Sequence, residues 1–305
     1  MGQEIMVQTL RNAFKTNRIA HAYILTGVRG IGKTTTARLL ARSLNYETET
    51  INEPNIEMSE LGRHCLEIME SRHIDVIEMD AASRTGIADI REIIDSVNYS
   101  PSSARYKIYI IDEVHMLSKA AFNGLLKTLE EPPSHVKFIF ATTEVQKIPL
   151  TILSRCQRFD LKRFDHDMIK SLLNNVCEKE MVSVEDPIID LIAKASGGSA
   201  RDSLSLLDQA MALSNDGNIS EEKIRQMLGL SDQSRIIDLY EFISNAEVEK
   251  ALLEAKNQAD IGIDPVNLIE SLGDLIHELT RLKVTESNDD NLSLIHISEP
   301  TRPID

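Results

Sequence analysis

A phosphate-loop motif at residues 27–34 constrains the fold of this chain more than any other feature. Its eight residues read Gly-Val-Arg-Gly-Ile-Gly-Lys-Thr, a complete G-x-x-x-x-G-K-[ST] pattern. The motif follows a short apolar run at 22–25 and precedes a helix-forming run at 35–44. A strand, a glycine-rich turn and a helix form the context in which this motif binds phosphate, through backbone N–H groups and the positive end of the helix. The motif therefore predicts an α/β nucleotide-binding domain.

Each residue of the motif has a predicted contact with the nucleotide. Lys33 is predicted to contact the β- and γ-phosphates, and the Thr34 hydroxyl to hold Mg²⁺. The predicted nucleotide-binding set is Gly27, Val28, Arg29, Gly30, Ile31, Gly32, Lys33, Thr34 and Thr35. A structural glycine turn is the alternative, but it would not require lysine and threonine at its end.

Composition narrows the classes of protein that the chain can belong to. With 305 residues it can form two or three domains. Its net charge of −15 argues against a protein that coats nucleic acid by itself, since phosphate neutralisation needs clustered Lys and Arg. The three cysteines lie far apart without a C-x-x-C pair, which is typical of a reducing compartment. No apolar run approaches membrane-spanning length and the first residues do not form a signal peptide, so a cytoplasmic protein is predicted.

The first half of the chain alternates between strand-like and helix-like segments. Strands are predicted at 22–25, 76–79, 107–111, 137–141 and 157–160, and helices at 33–44, 62–70, 87–97 and 120–130. This alternation predicts a mostly parallel sheet covered by helices, with ligands at the carboxyl ends of the strands. Residues 46–60, polar and interrupted by Pro54, are interpreted as an insertion loop.

The second half of the chain is predicted to be helical. Helices are expected at 166–179, 187–195, 200–213, 221–228, 235–244, 246–259 and 265–283. Residues 292–302 resemble the translation of a sequencing adapter, so 292–305 is interpreted as an artefact tail and the natural chain is expected to continue beyond about residue 291.

Two adjacent carboxylates follow the apolar run at 107–111. Asp112 is predicted to hold Mg²⁺ through water, and Glu113 to orient and deprotonate the attacking water. The alternative is a solvated acidic pair on the surface. An apolar strand that leads directly into Asp-Glu, in a chain with a phosphate loop, favours the functional interpretation.

Three further positions are candidates for contact with phosphate. Thr143, or Thr142, ends the run at 137–141 and could donate to the γ-phosphate or to the attacking water. Arg155, in Ser-Arg-Cys, could stabilise charge on the transferring phosphoryl group of a neighbouring subunit. Arg201 begins a predicted helix and could contact the phosphates from a second domain. Taken alone, each arginine could equally be a surface charge.

The order and spacing of these motifs resemble one family, the tau/gamma subunits of bacterial DNA polymerase III. The resemblance rests on Gly2-Gln3-Glu4, the phosphate loop, and the segments 78–84, 111–117, 125–133, 141–143, 154–156 and 198–202. It implies an AAA+ fold with a nucleotide-binding domain at 1–160, a helical lid at 161–230 and a partial helical collar at 231–291. It also implies that the chain is the ATPase motor of the clamp loader, within a DNA-directed DNA polymerase holoenzyme.

The resemblance assigns roles by position. Lys33 and Thr34 bind phosphate and Mg²⁺, and Asp112 and Glu113 are the Walker B pair. Thr143 is sensor 1, Arg155 is an arginine finger that acts on a neighbour's ATP, and Arg201 is sensor 2. ATP and Mg²⁺ are the implied ligands. The implied partners are the other clamp-loader subunits in a hetero-oligomeric ring, the sliding clamp and primed DNA, at a nucleoid-associated cytoplasmic location without membrane contact.

The chain departs from the family pattern in three places. It lacks the basic segment that precedes Gly-Gln-Glu, and its collar is short, so truncation at both ends is expected. Of a four-cysteine zinc module only Cys65 is present, so no zinc site is expected and Cys65 is predicted to be a small buried residue.

Two alternatives to a clamp-loader ATPase are open. One is another AAA+ DNA remodeller such as a Holliday-junction helicase motor, against which the Ser-Arg-Cys and Glu-Glu-Pro-Pro segments argue. The other is a non-hydrolysing nucleotide-binding scaffold of the same ring, against which the intact Lys33, Thr34, Asp112 and Glu113 argue.

Overall fold

A computed structural model describes residues 2–84, 86–213, 221–228, 233–260 and 262–285. The predicted artefact tail at 292–305 lies outside these residues. Contacts divide the chain into two units, with the boundary in sequence between Ala212 and Leu213. The division into a nucleotide-binding domain, a lid and a collar at 160/161 and 230/231 stays a prediction.

The first unit contains a five-stranded parallel sheet, as the alternating pattern predicts. Its strands are β1 Ala22–Thr26, β2 Val76–Asp80, β3 Lys107–Asp112, β4 Val136–Thr142 and β5 Gln157–Asp160. The order across the sheet is β2-β3-β4-β1-β5, and every neighbouring pair is parallel. All seven residues of β4 are buried because helices cover both faces of a parallel sheet, which explains its continuous apolar run.

Nine helices of the first unit surround or follow the sheet in the described residues. They are α1 Glu4–Lys15, α2 Lys33–Leu44, α3 Cys65–Met69, α4 Ile87–Val97, α5 Lys119–Glu130, α6 Leu150–Leu153, α7 His166–Glu180, α8 Asp186–Ala195 and α9 Ala200–Ala212. The sequence did not predict α1 or α6. It also predicted α3 from residue 62, but the helix begins at Cys65, and residue 63 instead contacts the preceding loop, where its N–H donates to the Glu47 carbonyl at 2.8 Å.

Side chains of the sheet alternate between two apolar cores. One face packs against α4 and α5, with Ile24, Ile111 and Phe140 from the strands. The opposite face packs against α1 and α2, with Leu25, Ile110 and Ile139 from the strands. Both cores are filled because successive strand residues point to opposite faces of the sheet. Ligands of such a sheet bind at the carboxyl ends of its strands, which the two cores do not cover.

The second unit is helical in its described residues, as predicted. It consists of α10 Glu221–Met227, α11 Gln233–Ser244, α12 Val248–Asp260 and α13 Pro265–Thr285, with a small core of Ile236, Leu239, Ala251 and Leu268. The prediction started α12 at residue 246, but Ala246 has a left-handed φ of 58°, which delays the helix to Val248. Among the described helices of both units, none combines the length and apolar character needed to cross a bilayer.

Candidate functional site

The phosphate loop connects β1 to α2 and needs glycine at two places for different reasons. Gly27 has a φ of 148°, and a Cβ there would lie 2.4 Å from Ile31 Cδ1. Gly30 has a φ of 82°, and a Cβ there would lie 1.9 Å from Ser199 Oγ. The first glycine allows the loop to fold on itself, and the second allows the segment before α9 to approach the loop.

Lys33 begins α2 and is almost completely buried, with 6% of its surface exposed. Its Nζ donates to the carbonyl oxygens of Gly27 at 3.1 Å and Val28 at 3.0 Å. Burial lowers the pKa of the Lys33 ammonium, while the negative charges of Glu113 and Asp112 oppose that shift. The loop therefore holds a desolvated cation beside two carboxylates.

Thr34 and Asp112 bring a hydroxyl and a carboxylate together from different elements. Asp112 ends β3, and its Oδ2 accepts a hydrogen bond from Thr34 Oγ1, while its Oδ1 accepts the Glu113 N–H at 2.8 Å. Hydroxyl, carboxylate and water oxygens are the ligands that Mg²⁺ prefers. The two side chains therefore fit the metal that the sequence predicts.

Glu113 lies at the junction between β3 and a short 3-10 turn, Val114–Met116. Its backbone is left-handed, with φ and ψ both at 44°, a conformation that non-glycine residues rarely adopt. Its Oε2 accepts hydrogen bonds from the backbone N–H and the Oγ1 of Thr143, at 3.2 and 3.1 Å. Such uncommon backbone geometry is concentrated at functional sites, because the surrounding structure must hold it in place.

The two threonines at the end of β4 have different surroundings. Thr143 contacts the Glu113 carboxylate, whereas Thr142 is fully buried and its Oγ1 accepts the Glu144 N–H at 3.0 Å. His115 Nδ1 lies 3.0 Å from Thr142 Oγ1 and 3.3 Å from Glu113 Oε2. The residues alone left the choice between the two threonines open, and the family resemblance assigned Thr143. His115 was not identified from the sequence, where its only signal was its place two residues after Glu113.

Most of the predicted site residues line one cleft of about 1120 Å³ at the carboxyl edge of the sheet. The lining includes Lys33, Thr34, Asp112, Glu113, Thr143 and Arg201. Arg201 lies at the start of α9, where its backbone N–H donates to the Gly30 carbonyl at 3.2 Å. The tertiary structure thus brings together residues that are spread over 168 positions of the chain, from Lys33 to Arg201.

A second, apolar cavity of about 520 Å³ adjoins the cleft and shares Gly32, Thr35, Ala200 and Leu204 with it. Its walls include Met6 and Leu10 of α1 and Met168 of α7. An apolar cavity beside a phosphate-binding loop suits a nucleobase, which stacks on apolar side chains while its phosphates remain in the polar cleft. No local sequence pattern indicates this cavity, because part of its wall is α1, which was not predicted.

Arg155 lies outside this cleft. It follows α6, and its guanidinium donates to Glu130 Oε1 at 2.6 Å and to the Thr151 carbonyl at 2.6 Å. About a third of its side chain is exposed. The structure therefore presents Arg155 at the surface rather than at the phosphate loop of its own chain.

Cys65 is buried, as predicted, next to a pair of buried histidines. His73 Nδ1 accepts the Asp75 N–H at 3.0 Å, so His73 Nε2 carries the hydrogen that is donated to His64 Nδ1 at 2.8 Å. In the described part of the chain no group of three or more His, Cys, Asp and Glu side chains could hold a metal ion. The expected absence of zinc stays a prediction.

Stability is expected to fall as pH drops below about 6.5, the ordinary pKa of histidine. Burial lowers the pKa of His73, as does the nearby His64, while Asp75 and Glu67 oppose the shift. Below about pH 6.5 the His73 imidazole binds a proton in the unfolded chain but stays neutral in the folded chain. The contribution of His73 to stability is therefore complete above its ordinary pKa and is lost as the pH falls toward its lowered pKa in the folded state.

Urea unfolding of the chain and of a His73→Asn variant, at about pH 7.5 and about pH 5.5, measures this effect. Asparagine retains an acceptor for the Asp75 N–H but does not titrate. Burial and Lys137 also lower the pKa of His21, but this contribution is common to both proteins. An equal pH dependence in the two proteins would show that His73 does not cause the acid lability.

Family models for DNA polymerase III components match most of the chain. Residues 2–165 match the model for the DNA polymerase III delta subunit. Residues 168–216 match the ATPase lid domain of the DNA polymerase III clamp loader subunit. Residues 219–302 match domain III of the DNA polymerase III subunits gamma and tau.

Curated relatives agree with these models. The chain is 43% identical over 285 residues to the DNA polymerase III subunit tau of Salmonella typhimurium, covering 93% of this chain and 44% of that protein. It is 40% identical to the DNA polymerase III subunit gamma of Buchnera aphidicola from Schizaphis graminum, covering 93% of this chain and 77% of that protein. The chain therefore spans about half the length of the tau subunits that it matches.

Solved structures show the same fold. The RuvB Holliday junction branch migration motor of Thermotoga maritima matches with a TM-score of 0.54 over 81% of this chain and 78% of that chain. Its sequence identity of 19% supports a shared fold only.

Proposed function

Because the chain belongs to the family of tau and gamma subunits of bacterial DNA polymerase III, we propose that it is an ATPase motor subunit of the clamp loader. In this role it would use ATP binding and hydrolysis to load the sliding clamp on primed DNA. The observation that supports the proposal most directly is the convergence of Lys33, Asp112 and Glu113 on one cleft beside the phosphate loop.

Each residue of the cleft has its own part in ATP hydrolysis. The Lys33 ammonium and the loop N–H groups offset the phosphate charge, and Glu113 accepts a proton from the attacking water. Thr34 and Asp112 would hold Mg²⁺, which when bound neutralises charge on the phosphate oxygens. Thr143 fixes the Glu113 carboxylate from the end of β4. Arg201 lines the same cleft from α9, so nucleotide contact there would affect the position of the helices that follow the sheet.

The surface position of Arg155 supports a role at a neighbouring subunit. A guanidinium that lies outside its own cleft can stabilise phosphoryl charge only at another chain's site. We therefore assign this chain to a hetero-oligomeric ring with other clamp-loader subunits. The ring would act on the clamp and primed DNA as part of the polymerase holoenzyme, in the cytoplasm near the nucleoid.

The decisive experiment measures steady-state ATP hydrolysis by the assembled complex, with and without clamp and primed DNA. Glu113→Gln is expected to reduce turnover about 10²-fold, because it removes a general base, while ATP binding is retained. The matched control is Glu178→Gln, an exposed position on α7.

Two outcomes would contradict the proposal. Complexes that bind ATP but do not hydrolyse it under any of these conditions would indicate a non-hydrolysing scaffold. Equal turnover in Glu113→Gln and in the unmodified complex would show that Glu113 is not the general base.

A further inference from the structure

We propose that His115 is a positioning residue that fixes the Glu113 carboxylate for hydrolysis, a role that rests on the proposed ATPase function. His115 neither belongs to the phosphate loop nor carries any role predicted from the sequence. Its side chain is 6% exposed and lies between the end of β3 and the end of β4.

The contacts to Glu113 are concentrated on one oxygen. In the described residues Oε2 accepts from the Thr143 N–H at 3.2 Å and from Thr143 Oγ1 at 3.1 Å, and His115 Nδ1 lies 3.3 Å from the same atom. A carboxylate that is anchored through one oxygen has a fixed orientation, and its other oxygen can accept a proton from water. Three contacts on Oε2 therefore leave Oε1 as the oxygen for the reaction.

The hydrogen-bonding groups around His115 indicate that its Nδ1 atom is the one that orients Glu113. Carboxylate oxygens only accept, so the Nδ1 contact with Glu113 is attractive where Nδ1 carries a hydrogen. Thr142 Oγ1 lies 3.0 Å from His115 Nδ1. This oxygen accepts the Glu144 N–H with one lone pair, and its second lone pair can accept a hydrogen from His115 Nδ1. A hydrogen on Nδ1 is thus donated to Thr142 Oγ1, and the same N–H lies beside Glu113 Oε2.

The other nitrogen has a weaker contact. His115 Nε2 lies 3.4 Å from Glu144 Oε1, and Glu144 is partly exposed and also pairs with Lys147 at 2.8 Å. An exposed carboxylate shared with a lysine contributes little, because water and the second cation compete for it. The buried Nδ1 side is therefore the one that can affect catalysis.

The backbone holds the imidazole in place at little entropic cost. Glu113 is left-handed, and the next residue, Val114, is fully buried in the core of the first unit. The 3-10 turn Val114–Met116 follows, and it brings the His115 side chain back to the Glu113 carboxylate. A side chain that is already fixed by packing loses little further freedom when it orients a neighbour.

Three substitutions at residue 115 separate positioning from packing. Asparagine places its amide nitrogen close to the Nδ1 position, whereas glutamine places its amide nitrogen close to the Nε2 position. His115→Asn therefore retains a donor toward Glu113 and Thr142, and His115→Gln retains a donor toward Glu144 only. His115→Ala removes both.

In the assembled complex with clamp and primed DNA, His115→Ala and His115→Gln are expected to lower kcat about tenfold, the effect expected of losing one close polar contact that orients a charged group. KM for ATP and the affinity for a fluorescent ATP analogue are expected to stay unchanged, because His115 lines the cleft next to Glu113 and Thr142 and makes no contact with the phosphate loop in the described residues. His115→Asn is expected to recover most of the lost kcat. A purely structural role would instead make glutamine and asparagine equally harmful and would lower thermal stability in both.

The comparison with Glu113→Gln separates this proposal from the proposed function. An unmodified complex that does not hydrolyse ATP would contradict the function itself. An active unmodified complex, an inactive Glu113→Gln complex and His115→Ala turnover equal to the unmodified value would overturn the positioning role alone. Equal losses in the asparagine and glutamine variants would overturn it as well, even if His115→Ala does not fold.

Discussion

Replacing Lys33 with alanine is expected to reduce ATP affinity about 100-fold and to abolish measurable hydrolysis. A hydrogen bond to a charged group contributes about 1.5–3 kcal/mol, which corresponds to about 10- to 150-fold in affinity. Lys33 is nearly buried and lies at the loop where the phosphates are expected. Its charge is little screened by water there, so the loss is expected near the upper end of that range.

Equilibrium titration with a fluorescent ATP analogue measures this loss directly. Lys194→Ala is the matched control, since Lys194 is exposed on α8 and forms an ion pair with Asp190. Thermal melting shows whether the Lys33 variant is folded. Unchanged ATP affinity in a folded Lys33→Ala chain would contradict the assignment of the phosphate loop.

Replacing Arg155 with alanine is expected to leave ATP binding by the same chain intact and to reduce turnover at a neighbour's site about 10³-fold. Arginine fingers contribute about 10³- to 10⁵-fold in kcat because they stabilise charge that develops on the phosphoryl group. Glu130 and the Thr151 carbonyl fix the Arg155 guanidinium at the surface of its own chain. The control is Arg158→Ala, an exposed arginine that pairs with Asp160.

A complementation experiment distinguishes action on a neighbour from action on the same chain. Lys33→Ala chains retain Arg155, and Arg155→Ala chains retain the phosphate loop. Mixed complexes of the two variants are expected to recover part of the turnover, because some interfaces then combine an intact loop with an intact arginine. If Arg155 acted within its own chain, mixing would restore nothing. Hydrolysis by isolated Arg155→Ala chains equal to that of the unmodified complex would also contradict the assignment.

Much of the secondary structure could be predicted because its signals are local. The apolar run that forms β3 and the helix-forming run after the phosphate loop are both detectable within a window of about ten residues. The bounds of α2 and α4 agree with the prediction residue for residue. The structure differs from the prediction where residues contact another segment, as Arg63 contacts Glu47, or where the backbone is left-handed, as at Ala246.

The sequence predicted most residues of the candidate site but not the contacts between them. Lys33, Asp112 and Glu113 were identified from motifs whose spacing is set by strand, turn and helix geometry. His115 and the α1 wall of the apolar cavity were not, because neither belongs to a local pattern that indicates a ligand. Both depend on which strands and helices lie side by side.

The sequence by itself determined the phosphate loop, the acidic pair and the alternation that requires a parallel sheet. These follow from interactions within a few residues: glycine conformational freedom, strand and helix periodicity, and carboxylates at a strand end. Only the tertiary structure decided that Thr143, not Thr142, contacts Glu113, that His115 faces the same oxygen, and that Arg155 lies outside its own cleft. The order β2-β3-β4-β1-β5 places the ends of β3 and β4 next to each other, and contacts across neighbouring strands cannot be derived from either strand alone.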